Sequence, residues 1–402
     1  MTGRPQVLLV IGYFDWFSGY QETGLARALA ARADVQVLCS NRVNPLFTDE
    51  HLASIGVPRS YPTGTTHEQG VTITRLAVRE WRSMVWPRPS ADLPVDKIYD
   101  LVIQMMPGQL LPVLTRPGKT PRSRVVLYGD NQAMYANLTG WQARIKQGVF
   151  SATKGSLYRR LNRGADSILC YTPNTVSKIR RYSAGSPVDL LPLAYDPDLF
   201  FVDAAARSAG RQEIGAQEND LVLIAPGKLQ TQKRLDTVVR AVSQLPAWRE
   251  RVHLLFVGGA SGPVADAIRR AASEAGLDAQ LTMLPFADSH RLNMMFNAAD
   301  VGVWPLMPAI TIQQAMATGL FVVLPDNDLV RHLVRPSTGR LYDPGPADPT
   351  APLAASLGAA FKELTVVDHP DARQDRAEIN GWLATPSLAE RLLRTIEDGD
   401  AR

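Results

Sequence analysis

Continuous apolar runs alternate with amphipathic stretches, and the whole alternation occurs twice along the chain. Val7–Gly12 (VLLVIG) is apolar at every position, the mark of a strand covered on both faces. A loop, YFDWFSGYQE, leads to TGLARALAAR, which has helical periodicity, and then to the strand-like VQVLCS. This is a βαβ unit, which admits a parallel sheet and little else. VTITRLA, LVIQMM, RVVLYG and SILCYT extend the series. A second copy begins near Asp220. There DLVLIAPG, HLLFVGG, LTMLPF, VGVWP and FVVLP read as strands, and TQKRLDTVVRAVSQL and PVADAIRRAASEAGL read as helices. The fold class is therefore α/β, with two doubly wound Rossmann-like domains in series facing across a cleft. Ligands of such sheets sit at the carboxyl ends of the strands. The expected boundaries are 1–198, 199–380 and a final amphipathic helix within 381–402 (SLAERLLRTIED) that packs back towards the first domain. Asp343–Pro352 reads as a turn-rich surface loop.

At 402 residues, 45% apolar and 20% charged, the chain can bury two full cores. Net charge is only +4, but the segment from Trp141 to Arg181 alone carries +8: Arg144, Lys146, Lys154, Arg159, Arg160, Arg163, Lys178, Arg180 and Arg181 face one acid, Asp166. Such a stripe suits a solvated helix face, or a partner that is anionic lipid or phosphate-bearing. Both cysteines, Cys39 and Cys170, sit within strand-like runs and read as buried thiols. VLLVIGYF is too short for a signal peptide and runs into Asp15, and no apolar run is long enough to span a bilayer. The expected location is cytoplasmic, with any membrane contact peripheral, on the inner face.

Four motifs carry a resemblance. APGKLQTQKRLD (Ala225–Asp236) is a strand followed by a basic loop; LLPLAYDPDLF (Leu190–Phe200) is an interdomain segment; AADVGVWP followed by QAMATGLFVV ends in a Gly-terminated helix and a strand; and FSGYQE (Phe17–Glu22) is a Gly-containing first loop. In this order and on these elements, the chain resembles the retaining family 4 glycosyltransferases of GT-B architecture, with a degenerate acidic motif. The resemblance implies a metal-independent transferase that moves a sugar from a nucleoside-diphosphate sugar to a hydroxyl of a glycan, lipid-linked or small-molecule acceptor, in surface glycan, glycolipid or natural-product synthesis. The first domain would bind the acceptor and the second the nucleotide sugar. No cofactor, metal or nucleic-acid partner is expected, and the tract Trp81–Pro89 with the basic stripe favours an anionic lipid-linked acceptor. Asp196-Pro197-Asp198 looks like a metal motif but lies in the interdomain segment.

By resemblance, Gly227, Lys228 and Lys233 meet the donor diphosphate, with Lys228 in place of an arginine. Fixed cations there stabilise a departing diphosphate more than the ground state, although a lysine lacks the arginine fork. The family's two glutamates, eight positions apart, fall on Leu306 and Gln314, so both acids are gone. Gln314 keeps an acceptor oxygen for a ribose hydroxyl. Thr311-x-x-Gln314 also reads as a capping box. The backbone N–H groups around Ala309, Ile310, Thr311 and Ile312 are placed to meet phosphate at a helix start. Gly258 approaches the donor or simply makes a turn, and Phe286, within Pro285–Ala287, lies where relatives hold the base.

In the first loop stand Gly19, counted with the donor-binding residues, and Tyr20, Gln21 and Glu22 on the acceptor side. Gly19 lets the backbone approach a phosphate or acceptor. Glu22 either contacts the acceptor or complements the helix N-terminus. Tyr13, Phe14, Trp16, Phe17 and Tyr20 form an aromatic cluster suited to a sugar, a lipid or a packed edge. Gly129 stands where relatives often place a histidine. Asp130 is the nearest ionisable group and, with Asn131, is the candidate for orienting the acceptor hydroxyl or taking its proton. Two further readings stay open: a degenerate member that binds nucleotide, glycan or a partner without turnover, and a nucleotide-sugar epimerase on the same fold.

Overall fold

A computed structural model of the chain describes residues 3–81, 83–88, 97–115, 121–129, 140–217, 219–306, 308–345, 348–367 and 370–400. Two compact units emerge. Unit 1 is Met1–Pro192 with Thr385–Arg402, and unit 2 is Leu193–Ala384. The first division falls earlier than the expected residue 198, because Tyr195 and Phe200 are buried in the core of unit 2 and Tyr195 N donates to Leu383 O at 3.0 Å.

In unit 1 an eight-stranded sheet has the order β10-β9-β8-β7-β1-β2-β4-β3. Its strands are β1 (Gln6–Val10), β2 (Asp34–Ser40), β3 (Gly64–Glu68), β4 (Val71–Leu76), β7 (Leu101–Met105), β8 (Ser123–Tyr128), β9 (Ser167–Cys170) and β10 (Val188–Leu190). All pairings are parallel except that of β3 with β4. A small antiparallel hairpin, β5 (Val78–Trp81) with β6 (Met84–Pro87), holds most of the Trp81–Pro89 tract. The terminal helix Thr385–Asp400 belongs to this unit. Thr395 Oγ1 lies 3.1 Å from Ser123 Oγ, and the Thr385 methyl would lie 3.1 Å from a Cβ on Gly24. Strand order reverses between β1 and β7, and the crevice at such a point is where doubly wound sheets take ligands.

Unit 2 is a six-stranded, all-parallel sheet, β13-β12-β11-β14-β15-β16, built from β11 (Leu221–Pro226), β12 (Val252–Val257), β13 (Leu281–Leu284), β14 (Val301–Val303), β15 (Phe321–Pro325) and β16 (Gly339–Tyr342). The apolar run of β11 divides by period two: Leu221, Leu223 and Ala225 enter one core, Val222 and Ile224 the other. Both faces are thus buried, which is why the run shows no polar alternation. Here the order reverses between β11 and β14.

Two expectations give way. TQKRLDTVVRAVSQL is not one helix: Thr231–Lys233 is a 3-10 turn, Arg234 takes φ 46°, and the α-helix runs only over Asp236–Ser243. Lys233 therefore precedes the helix rather than starting it. The presumed loop Asp343–Pro352 already contains the first turn of a helix, Thr350–Val367, whose start Asp348 holds by accepting from Thr350 N at 3.1 Å.

Candidate functional site

Of the donor-side residues, Gly19 lies in unit 1 and the others lie at or beyond the carboxyl ends of unit 2 strands. Gly227 N donates to Val257 O at 2.7 Å, and Gly258 N and Gly259 N both point at Leu284 O, at 3.2 and 3.1 Å. The ends of β11, β12 and β13 are thereby laced together. Gly258 has φ +128°, and a Cβ there would lie 2.5 Å from Gly227 O, so this close approach excludes any side chain. Gly227 has φ +115°, and a Cβ on it would lie 2.8 Å from Lys233 Nζ. The Lys233 ammonium thus rests directly over the bare backbone at the end of β11.

Lys233 is half-buried and Lys228 exposed. Burial first, and the Lys228 charge second, push the Lys233 ammonium below the usual lysine range. No carboxylate among the described residues pairs with either lysine. Two cations brought together at a strand end beside the switch point, with no internal counter-ion, form a place for an anion. Arg234, by contrast, lies 3.6 Å from Asp348.

Across the switch point, β14 leads through Trp304–Ile310 into the helix Thr311–Ala317. The capping box does not form. Thr311 Oγ1 accepts from Trp304 Nε1 at 2.9 Å, and the cap position is Ile310, with no side-chain capping bond. Ile312 N donates to Ala309 O at 3.1 Å, so that N–H is committed to the turn. Gln314 is half-buried, as is Leu306. The neighbouring Gln313 is buried instead, and with its amide nitrogen turned inward it donates to Ala309 O and Ile310 O at 3.1 and 3.2 Å.

What holds this helix is invisible at short range. Its carboxyl end is capped by the helix Pro370–Ile379. Arg373 donates to Thr318 O at 2.7 Å, Arg376 to Gly319 O at 2.8 Å and Asn380 to Met316 O at 3.1 Å, and Arg373 also ties in the end of the preceding helix Ser289–Ala298 through Ala299 O and Phe296 O at 2.8 and 2.6 Å. Cations suit a helix carboxyl end. Asp300, the last acid before the site, is structural. It takes Arg207 at 2.6 Å, Arg211 at 3.2 Å and Val222 N at 2.8 Å. Phe286 stands 72% exposed just beyond β13, which leaves its ring face open.

In unit 1 the first loop lies at the end of β1. Gly19 has φ +61°, and no atom comes within 4 Å of a Cβ built there. The helix Gln21–Ala30 follows, with Gln21 buried, Glu22 half-buried and Tyr20 36% exposed. Burial, then the charge of Asp15, raises Glu22 to about 7 even though its own backbone N–H opposes the shift. Asp15, which the sequence offered only as an acid within an aromatic run, is itself buried. Desolvation raises it to about 6 against the pull of Arg75. Within the aromatic cluster Phe14 packs on Trp16, whereas Phe17 and Tyr20 pack on Phe47 outside it, and Tyr13 OH donates to Glu80 at 2.7 Å.

Gly129 directly follows β8, and the end of the Met106 side chain fills the space beside it. A Cβ there would lie 2.4 Å from Met106 Sδ. Met106 (φ 51°) and Leu110 (φ 70°) are both held at positive φ in the loop after β7, and Gln109 of that loop accepts from Gly12 N at 3.0 Å. Strained backbone at a switch point is a pointer to function that sequence reading missed. Asp130 and Asn131 lie outside the described residues.

Residues 207–356 match the family model described as glycosyl transferases group 1. A D-inositol 3-phosphate glycosyltransferase of Mycobacteroides abscessus is 29% identical over 146 residues, 35% of this chain and 32% of that one. D-inositol 3-phosphate glycosyltransferase 2 of Catenulispora acidiphila is 26% identical over 249 residues, 58% and 57%. The chain thus spans less than two thirds of the length of these curated relatives. Among solved structures, sucrose-phosphate synthase of Thermosynechococcus elongatus superposes with TM-score 0.64 at 18% identity, over 98% of this chain and 100% of that one. Anabaena Alr3699/HepE in complex with UDP superposes with TM-score 0.65 at 16% identity, over 98% and 100%. The fold is that of the GT-B glycosyltransferases, two Rossmann-like domains.

Proposed function

From the premise that this chain carries the group 1 glycosyltransferase domain over residues 207–356, we propose that it transfers a sugar from a nucleoside-diphosphate sugar to a hydroxyl acceptor, with retention of configuration. The observation that carries this reading is Lys233 over Gly227 with Lys228 beside it, two cations with no carboxylate partner among the described residues, at the switch point of unit 2. In this reading the two ammonium groups take up charge as the sugar–oxygen bond to the diphosphate breaks. Phe286 offers an exposed ring beside the base, and Gln314 contacts the ribose. A uridine diphosphate sugar is the first donor to try, because Alr3699/HepE, of the same fold, was solved with UDP-glucose.

The acceptor hydroxyl would be met in unit 1 by Glu22 and Tyr20, across the open space at Gly19. With Glu22 raised to about 7, it holds its proton at mildly acidic pH and accepts a hydrogen bond above neutrality. Release of nucleoside diphosphate from a panel of sugar donors, with and without acceptor alcohols, tests the reading. Acceptor-dependent release that disappears in Lys233→Met supports it.

One observation favours a second reading. By the resemblance, Leu306 stands where a carboxylate would face the donor sugar and Gln314 where one would meet the ribose, and neither can be ionised. A protein that binds nucleoside diphosphate tightly but releases none from any donor would be a binding module rather than a transferase.

A further inference from the structure

None of the residues assigned above to donor or acceptor lies within the basic stripe of unit 1, Trp141 to Arg181. The helix Gly140–Ala152 is anchored through Phe150. Phe150 packs edge-on against Tyr158 and Tyr182, with ring centroids 5.7 Å apart in both cases. At roughly 100° per residue, Trp141, Ile145 and Val149 fall within an arc of about 80° on the side away from Phe150. They are 69%, 55% and 60% exposed, three large apolar side chains in a row. Arg144 is exposed beside that row.

Next to this helix come Lys154–Asn162 and the turn Arg180–Tyr182, tied to it through the same aromatic cluster. They and the residue after the second helix expose Arg159, Arg160, Arg163, Arg180 and Arg181. None of these five, nor Arg144, has a carboxylate partner among the described residues. Arginines such as Arg59, Arg207 and Arg340 do have one elsewhere in the chain. The one acid of the stretch, Asp166, is spent internally, accepting from Arg124 N at 2.8 Å. No described helix is long and apolar enough to cross a membrane.

We propose that this face docks unit 1 on an anionic lipid bilayer, with the Trp141–Ile145–Val149 row entering the headgroup boundary and the arginines meeting lipid phosphates. An apolar stripe with tryptophan, flanked by arginines with no carboxylate partner among the described residues, is what an interfacial helix requires. A soluble polyanion would use the charges but leave the apolar row in water. Docking here is independent of donor binding in unit 2, so either can fail while the other holds.

The test is co-sedimentation of the full chain with vesicles of phosphatidylcholine alone and of equal parts phosphatidylcholine and phosphatidylglycerol. The expected result is binding to the anionic vesicles only, weakening as salt is raised. The triple variant Trp141→Ser/Ile145→Ser/Val149→Ser should bind at least about tenfold more weakly, and Arg160→Glu/Arg163→Glu about tenfold more weakly, with nucleoside diphosphate binding unchanged as the check on folding. Quenching of tryptophan emission by bromine-labelled acyl chains should be reduced in Trp141→Ser. Absence of binding to anionic vesicles at low salt overturns the proposal, as does binding that the triple variant leaves intact. Self-association without lipid that the triple variant abolishes also overturns it, because a second copy would then cover the face.

Discussion

Replacing Lys233 by methionine keeps most of the side-chain volume and removes the charge that rests over Gly227. A unit charge about 4 Å from a phosphate oxygen is worth about 4 kcal/mol at an effective dielectric of about 20. That is an upper bound, because Lys233 is only half-buried and Lys228 shares the load. A loss of about 1.5–3 kcal/mol follows, roughly 10- to 150-fold in the Kd for nucleoside diphosphate. Lys228→Met removes an exposed charge and should cost under about 1 kcal/mol, roughly fivefold or less. Titration calorimetry of uridine, guanosine and adenosine diphosphates against the three proteins measures this ordering. The proton count adds a second reading. Lys233 is held below the usual lysine range in the free protein, and a diphosphate would raise it again, so binding at alkaline pH should take up protons. Buffers of different ionisation enthalpy reveal that uptake, and Lys233→Met should abolish it. Equal affinity in wild type and Lys233→Met, with no proton uptake, refutes the assignment of this lysine to the diphosphate.

Other expectations follow from the same contacts. Arg373→Ala removes the donors to Thr318 O, Ala299 O and Phe296 O and should destabilise unit 2 by about 3 kcal/mol or more, read by urea denaturation. Gly258→Ala should lower thermal stability and weaken diphosphate binding together, since its Cβ would enter the backbone of Gly227. Asp15 and Glu22 are raised to about 6 and about 7 in the folded chain, so folding favours their protonated forms. Their stabilising contribution is present below about pH 4 and is lost as pH rises through the folded values. The drop in Tm between pH 5 and pH 8 should therefore be smaller in Glu22→Gln than in wild type, by an amount corresponding to at most about 3 kcal/mol. A pH dependence unchanged by the substitution would remove Glu22 from that account.

Much of the fold was legible because burial on both faces writes itself into local sequence. β11 needs apolar residues at every position, and its companions share that signature. Glycines at strand ends were legible too: Gly258 marks a backbone approach that only glycine allows, and Gly227 takes a φ of +115°. Side-chain roles set by distant partners were not. The Thr311–Gln314 spacing promises a capping box, yet Trp304 takes the threonine hydroxyl. The true cap on the other end of that helix comes from Arg373, Arg376 and Asn380, more than fifty residues on. Nor does anything near Gly129 announce that Met106 fills the space where relatives carry a side chain. The helix predicted through Lys233 broke at Arg234 because a left-handed residue there turns the chain, a conformation that sequence assigns to glycine or asparagine before arginine.

The central claim, a sugar transferase whose donor diphosphate rests on Lys228 and Lys233, is tested most directly by following nucleoside diphosphate release from UDP-glucose and other sugar donors over time, in wild type and Lys233→Met, with a panel of hydroxyl acceptors. The account predicts release that depends on acceptor in the wild type and falls by at least about tenfold in the variant. Release that is equal in both proteins, or a wild type that neither binds nor turns over any donor of the panel, would contradict it.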